Sequence, residues 1–469
     1  MSQLLEKYLP YLLLAYFLIR SFREPVYLLG IPFLIFFRYC IFFDKIKIFN
    51  IPGSLTSDIR LLAWLIISWL IFLILSSLQA GFRRERINAY KGLNGLDLII
   101  IGLMVISIID LIVVQKKYLV GTNILTEFFT LIALFLGFFI IKNIISQVDS
   151  ITLKDFFYSI AIVNSIASLL YFIHQGLHFN IYDNNYTEEY SSELFQGVTI
   201  TRTFWFMPVL WYFSIAYLLV FKKKRSIINI GLILINFLAI FISYTRSALT
   251  EGLMVVVLYF IMTSIKNRNY ASLIKYFLGI GISAIVFFFA VSSFLPASTN
   301  YFMSRINELK QNPTDEESNN LIVRFHNTGE IFSRMESHKR IAGLGPVTES
   351  QLPWVEDMRA TTADMVWTGV VFRWGYIGLF LFILLYFLAL FKAYKLFITN
   401  IGILSQLGLL FFLTIVSQIM ESFVSWTFMS PDRFALGLWY FGILSALVGF
   451  SKKKEPEFKN TSVEYAKLP

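Results

Sequence analysis

Residues 227–265 read IINIGLILINFLAIFISYTRSALTEGLMVVVLYFIMTSI, two apolar runs separated only by Ser243-Tyr244-Thr245-Arg246-Ser247-Ala248. Counted into the break, 227–244 and 247–265 hold 18 and 19 residues, about what a helix needs to cross a hydrocarbon core of roughly 30 Å. Neither alternates polar and apolar residues, which excludes a membrane β-barrel. The short break holds an arginine. An always-ionised guanidinium beside a membrane span faces a cavity, a partner charge or an anionic ligand, because hydrocarbon does not solvate it. The position of Arg246 asks for an anion.

The rest of the chain repeats this pattern. Hydrophobic residues make up 57% and aromatic residues 17% of the sequence, and the mean hydropathy is +0.67, outside the range of soluble domains. The expected fold class is all-α: a polytopic transmembrane helical bundle of about 12–13 spans with a large, partly helical extracytoplasmic loop. The spans are expected near 5–19, 26–43, 60–79, 97–115, 122–141, 155–175, 203–221, 227–244, 247–265, 272–294, 366–391, 401–420 and 434–450, the first two, broken by Arg20 to Pro25, being either two spans or one span and an interfacial helix. Residues 1–450 are expected to form one membrane domain, and 451–469 a polar cytoplasmic tail whose composition predicts disorder. No cleavable signal peptide is expected at the start. Cys40, the lone cysteine, lies in an apolar run and reads as a core residue.

Orientation follows from the basic residues. Arg83, Arg84 and Arg86, Lys222 to Arg225, Lys266 and Arg268, Lys392 and Lys395, and Lys452 to Lys454 fall in alternate loops, which are therefore cytoplasmic. The same rule accounts for the net charge of +10 without nucleic-acid binding. The two longest loops, about 176–202 and 295–365, then lie outside together with the Ser243–Ala248 turn. Within the larger loop, helix is expected around Leu321–Phe332, behind Pro313-Thr314-Asp315-Glu316-Glu317.

Several chemistries lack their motifs. There is no phosphate-binding Gly-rich loop ending in Lys-Ser/Thr, no His-Glu-x-x-His, no Cys-x-x-Cys, no Gly-x-Ser-x-Gly and no Asp-x-Asp. The expectation is a site with no metal and no cofactor. What remains on the outer side is a set of arginines, Arg202, Arg246, Arg305, Arg324, Arg334 and Arg340, with the carboxylates Asp364, Glu421 and Asp432. A planar guanidinium binds phosphate through two parallel hydrogen bonds, and several around one pocket would hold a pyrophosphate as it leaves. The plainer reading is that these arginines contact lipid headgroups or single carboxylates, and that Asp364 caps the helix that follows it.

Ser243-Tyr244-Thr245-Arg246-Ser247-Ala248 resembles the Ser-x-Thr-Arg-Ser-Ala signature of the O-antigen ligase and O-antigen polymerase superfamily. Three further segments are similar to that family's pattern. Arg202 to Pro208 resembles Arg-x-x-Gly-x-Phe-x-x-Pro opening a span, with Trp205 where the glycine stands. Arg324 followed by Gly343-Leu344-Gly345 resembles the large periplasmic loop, and Asp364 ahead of Gly375-Tyr376-Ile377-Gly378 matches the spacing of a His-Asn/Ser/Gln, nine residues, Gly-x-x-Gly pattern. The resemblance spans roughly residues 195–385. Asp364 stands where ligases carry histidine, which favours a polymerase.

This resemblance implies a bacterial cytoplasmic-membrane glycosyltransferase working on the extracytoplasmic face. It would join oligosaccharide repeat units carried on polyprenyl pyrophosphate, with inversion at the anomeric carbon, and a chain-length regulator as a possible partner. Arg202, Arg246, Arg324 and Arg340 would contact the pyrophosphate. Asp364 would be the general base, with Glu421 and Asp432 as rival carboxylates. Ser243, Thr245, Ser247, Gly343, Gly345, Gly375 and Gly378 complete the motif set. The alternatives are a ligase that transfers glycan to lipid A core or protein, and a non-catalytic flippase of lipid-linked sugars.

Overall fold

The computed structural model describes residues 2–32, 57–80, 93–113, 135–177, 179, 189–195, 198–203, 208–221, 227–311, 329, 332–335, 337–343, 366–422 and 440–449. Within them the chain is almost entirely helical. The helices are α1 (Ser2–Ser21), α2 (Ser57–Ala80), α3 (Gly95–Val113), α4 (Phe135–Ile145), α5 (Ser150–Tyr171), α6 (Pro208–Val220), α7 (Ile227–Ile242), α8 (Arg246–Asn267), α9 (Ala271–Phe294), α10 (Pro296–Gln311), α11 (Ser337–Ala342), α12 (Val366–Thr399), α13 (Gly402–Ser422) and α14 (Tyr440–Gly449). Among the described residues, five helical segments are long and apolar enough to cross a membrane: 150–176, 247–267, 271–294, 367–399 and 402–422. Shorter apolar helices stand at further expected spans. The fold is that of a helical membrane protein.

Three departures from the sequence reading have local causes. The expected span at 26–43 opens instead as a 3-10 turn, Pro25–Leu29, and its residues from 33 onward lie outside the described set. Proline removes a backbone donor and fixes φ, so it restarts the chain after α1 and does not continue it. The loop at 176–202 is not without regular structure: Glu189–Phe195 (β1) and Val198–Thr203 (β2) form an antiparallel hairpin. Thr203 thus closes β2 and does not open the span expected from there; the described helix, α6, starts at Pro208, a residue suited to the first turn of a helix.

Polar side chains show which helix ends share a side. At one end Asn94 and Asp97 cap α3 reciprocally: the Leu96 amide donates to Asn94 Oδ1 at 2.9 Å and the Asn94 amide to Asp97 Oδ2 at 2.6 Å. Lys142 from the end of α4 donates to Asp97 at 2.5 Å, Ser445 of α14 donates to it at 2.7 Å, and Lys392 of α12 donates to Asn94 at 3.1 Å. At the same end of α12, Lys266 from the last turn of α8 donates to the carbonyls of Phe397 (2.5 Å) and Asn400 (2.9 Å) and to Ser405 of α13. Gln406 reaches the Val220 carbonyl of α6 at 3.3 Å, and Tyr217 of α6 donates to the Lys154 carbonyl near the start of α5 at 2.8 Å. The end of α5, the hairpin, the starts of α6, α8, α12 and α14, and the end of α13 consequently gather at the opposite side.

The core between them is mainly apolar, and one of its buried polar groups ties α5, α6 and α7 together. Asn164 of α5 donates to the Leu210 carbonyl (2.9 Å) and to Ser214 (2.8 Å) of α6, while Asn236 of α7 donates to Ser165 at 2.9 Å and accepts from Ser168 at 3.0 Å. Such bonds fix helix register where the hydrophobic effect gives little direction. α6 lies centrally, packed against α5, α7, α8 and α13, and α12 packs along α13 and α3. α9 stands apart, with only Val291 buried.

Candidate functional site

The Ser243–Ala248 segment is a tight helix-to-helix turn. Ser243 Oγ donates back to the Ile240 carbonyl at 2.7 Å, Tyr244 takes a left-handed φ of 52°, and Thr245 is extended at φ −99°, ψ 109°. A bulky residue in that left-handed region is unfavourable by roughly 1 kcal/mol or more and persists only where packing holds it. Here α10 does so. The Tyr244 hydroxyl bonds Ser298 Oγ at 2.8 Å, and its ring meets that of Tyr301 edge-on at 5.2 Å. Tyr301 in turn meets Phe195 of β1 at 5.4 Å, and Phe302 packs on Phe241 at 5.0 Å. Turn, α10 and hairpin form one assembly.

Arg246 is the first residue of α8. Thr245, at the N-cap position, makes no capping hydrogen bond with its side chain; its hydroxyl donates instead to the Ser243 carbonyl at 3.1 Å. A helix start left open by its own cap residue, with an arginine at its first position, suits an anion through both the amides and the positive end of the helix dipole. Arg202 sits on β2, its backbone paired opposite Ser191, in the hairpin whose Phe195 meets Tyr301 of α10. The side chains of Arg246 and Arg202 lie outside the described set, as do Arg324, Gly345, Asp364 and Asp432. Ser247 is half-buried one residue on.

Arg340 has other engagements. From α11 it donates Nε to the Met335 carbonyl at 2.9 Å and one terminal nitrogen to the Ser333 carbonyl at 3.2 Å, closing the turn ahead of its own helix. Next to it the motif glycines meet. Gly343 has φ +85° and Gly375 φ +63° with ψ −166°, the latter breaking α12. A Cβ on Gly343 would fall 2.3 Å from the Arg373 carbonyl oxygen, and one on Gly375 2.2 Å from that of Ile341. Gly375 thereby divides α12 into a short first piece, Val366 to Trp374, and the long helix that follows. Gly378 leaves room for Trp374, whose Cβ would stand 2.1 Å from a Cβ there.

Beneath the turn lies a cluster that hydropathy concealed. Glu421, one of the rival carboxylates, is 3% exposed in the last turn of α13. Glu251, in the second turn of α8, is equally buried and faces it closely enough for the two charges to interact. The Tyr212 hydroxyl points at Glu251 without closing a well-formed hydrogen bond and also faces Glu421, as do Tyr386 and Tyr440. Gln418 lies one turn before Glu421 on α13. Glu251 is absent from the sequence-derived set because a single acid in an apolar run is averaged away by any window long enough to detect a span. Its signal is its address: a carboxylate five residues into the helix that Arg246 opens. Among the described residues no group of three or more His, Cys, Asp or Glu is placed to hold a metal ion.

No protein-family model matches the chain, and no curated protein does either.

Proposed function

We propose that the protein is an integral-membrane glycosyltransferase that polymerises oligosaccharide repeat units carried on polyprenyl pyrophosphate, at the extracytoplasmic face of a bacterial cytoplasmic membrane. The observation that carries this reading is the open start of α8, with Arg246 at its first position. The hairpin bearing Arg202 and the start of α12 lie at that same end of the bundle. The acceptor hydroxyl attacks the anomeric carbon, its proton passes to Asp364 just ahead of α12, and the bond to pyrophosphate breaks with its electron pair on the leaving oxygen. Arg246, Arg202 and Arg324 stabilise that charge. Sidedness is supported by the opposite end, where Lys142, Lys266, Arg268, Lys392 and Lys395 collect, as basic residues do on the cytoplasmic face.

The reaction is tested by incubating purified protein with a polyprenyl-pyrophosphate oligosaccharide and separating the products by length. A ladder of repeats is expected. A single transfer onto lipid A core or protein would make the protein a ligase, and movement of the lipid without transfer would make it a flippase.

A further inference from the structure

Four oxygen atoms near the Arg246 end of α6, α8, α13 and α14 are buried with no hydrogen-bond partner among the described residues: Glu251 Oε2, the Tyr212 and Tyr440 hydroxyls, and Gln418 Oε1. None of the four residues is more than 3% exposed. Buried oxygens without partners are destabilising, and four of them on neighbouring helices ask for a polar ligand, water or ion that satisfies them. Glu421 belongs to the same packing: α6, α8 and α13 lie against one another, and the Tyr440 ring stands 5.7 Å from that of Phe213 on α6 and 6.1 Å from that of Phe411 on α13. All of these atoms accept hydrogen bonds, and the tyrosine hydroxyls also donate. The complementary ligand is one that offers several donors and a few acceptors on adjacent atoms, as the hydroxyls of a sugar ring do. By position, Glu251 lies about 7.5 Å along α8 from Arg246 at 1.5 Å per residue, within the length of one or two sugar units.

We propose that Glu251, Glu421, Tyr212, Tyr440 and Gln418 form the binding site for the terminal sugar of the acceptor glycan, holding its hydroxyls beneath the pyrophosphate site at Arg246. This rests on the glycosyl-transfer reading above. Donor and acceptor are then separated by depth: the anion at the mouth of the bundle, the uncharged polyol under it. The carboxylates orient the sugar, and the attacking hydroxyl is the one left facing outward.

The test uses the full-length protein in detergent with two measurements. In the first, transfer from the lipid-linked donor is followed against increasing repeat-unit alkyl glycoside, which lacks pyrophosphate and serves as acceptor only. Glu251→Gln and Tyr440→Phe are expected to raise the acceptor KM at least about tenfold, with donor KM unchanged, because each removes a hydrogen bond from a buried set. Tyr440→Phe takes away one oxygen and keeps the packing, so a folded variant is available whatever Glu251→Gln does to assembly. An unchanged acceptor KM overturns the proposal. So does a fall confined to kcat, which would make the carboxylate the base, or a rate that depends on sodium only in the parent, which would make the cluster a cation site. In the second, saturation-transfer NMR reads binding of the same glycoside without any reaction. Binding by the parent that is lost in Tyr440→Phe supports the site even if the parent transfers nothing, in which case only the glycosyl-transfer reading fails. No binding by the parent overturns the site.

Discussion

The amide nitrogen of Gly343 lies 2.6 Å from the point where a Cβ on Gly375 would stand, so the end of α11 is pressed into the break in α12 with no space for a side chain between them. The two glycines belong to different motifs in the sequence. Their contact explains why both are needed, since each has a positive φ and each would drive its Cβ into the other segment's backbone.

Gly375→Ala should therefore fail structurally before it fails chemically. The added Cβ meets the Ile341 carbonyl and the Gly343 amide, neither of which is a flexible side-chain tip, and alanine disfavours φ near +63°. We expect a loss of about 2–4 kcal/mol from overpacking and backbone strain together. Thermal unfolding in detergent is the measurement, and a melting temperature equal to the parent's would show that the contact relaxes at little cost.

Arg246→Lys separates charge from geometry at the start of α8. An ammonium keeps the positive charge but not two parallel hydrogen bonds to one phosphate. Transfer should fall on the order of a hundredfold, the equivalent of a few kcal/mol of leaving-group stabilisation. The fold should be intact, because the turn is held by Tyr244 against Ser298 and Tyr301. Parental turnover in well-expressed Arg246→Lys would reduce the arginine to a headgroup contact.

The sequence made the helices legible because membrane spans are long and uniformly apolar, and a window of that length reads them directly. It made the Ser243–Ala248 turn legible because an arginine between two such runs has no apolar explanation. It did not reveal the hairpin at 189–203, whose short strands carry polar residues and whose packing partner, Tyr301, is distant in sequence. Nor did it reveal Glu251 and Glu421 as a pair. Burial of a carboxylate depends on which helices surround it, and α6, α8 and α13 meet only through tertiary packing.

At the other end, Asp97 and Lys142 test how the bundle tolerates a buried ion pair. Asp97 is fully buried, and it also accepts from the Asn94 amide and from Ser445. The Lys142 side chain is 13% exposed and so has a path toward water. Lys142→Met leaves the carboxylate without its counter-ion and should cost about 3 kcal/mol, whereas Asp97→Asn leaves a lysine that can turn outward and should cost less. The double variant should recover part of the loss of Lys142→Met. Equal losses from the two single variants in urea or thermal unfolding would contradict this asymmetry.

Asp364 is where catalysis and helix capping make opposite demands. It precedes α12, which begins at Val366, so a capping carboxylate and a general base would occupy nearly the same place. Asparagine preserves the shape and still accepts a backbone hydrogen bond, so a cap survives Asp364→Asn with a loss of at most about 1 kcal/mol. A base does not survive it, because the amide cannot take the hydroxyl proton. We expect Asp364→Asn to fold and bind the lipid-linked donor while transferring glycan at least about a hundredfold more slowly. Its acceptor KM should stay near the parent's, in contrast to Tyr440→Phe, because the base acts on the bound hydroxyl and the deeper cluster holds the rest of the sugar. Polymerisation at the parental rate would leave Asp364 a cap and pass the role of base to Glu421 or Asp432.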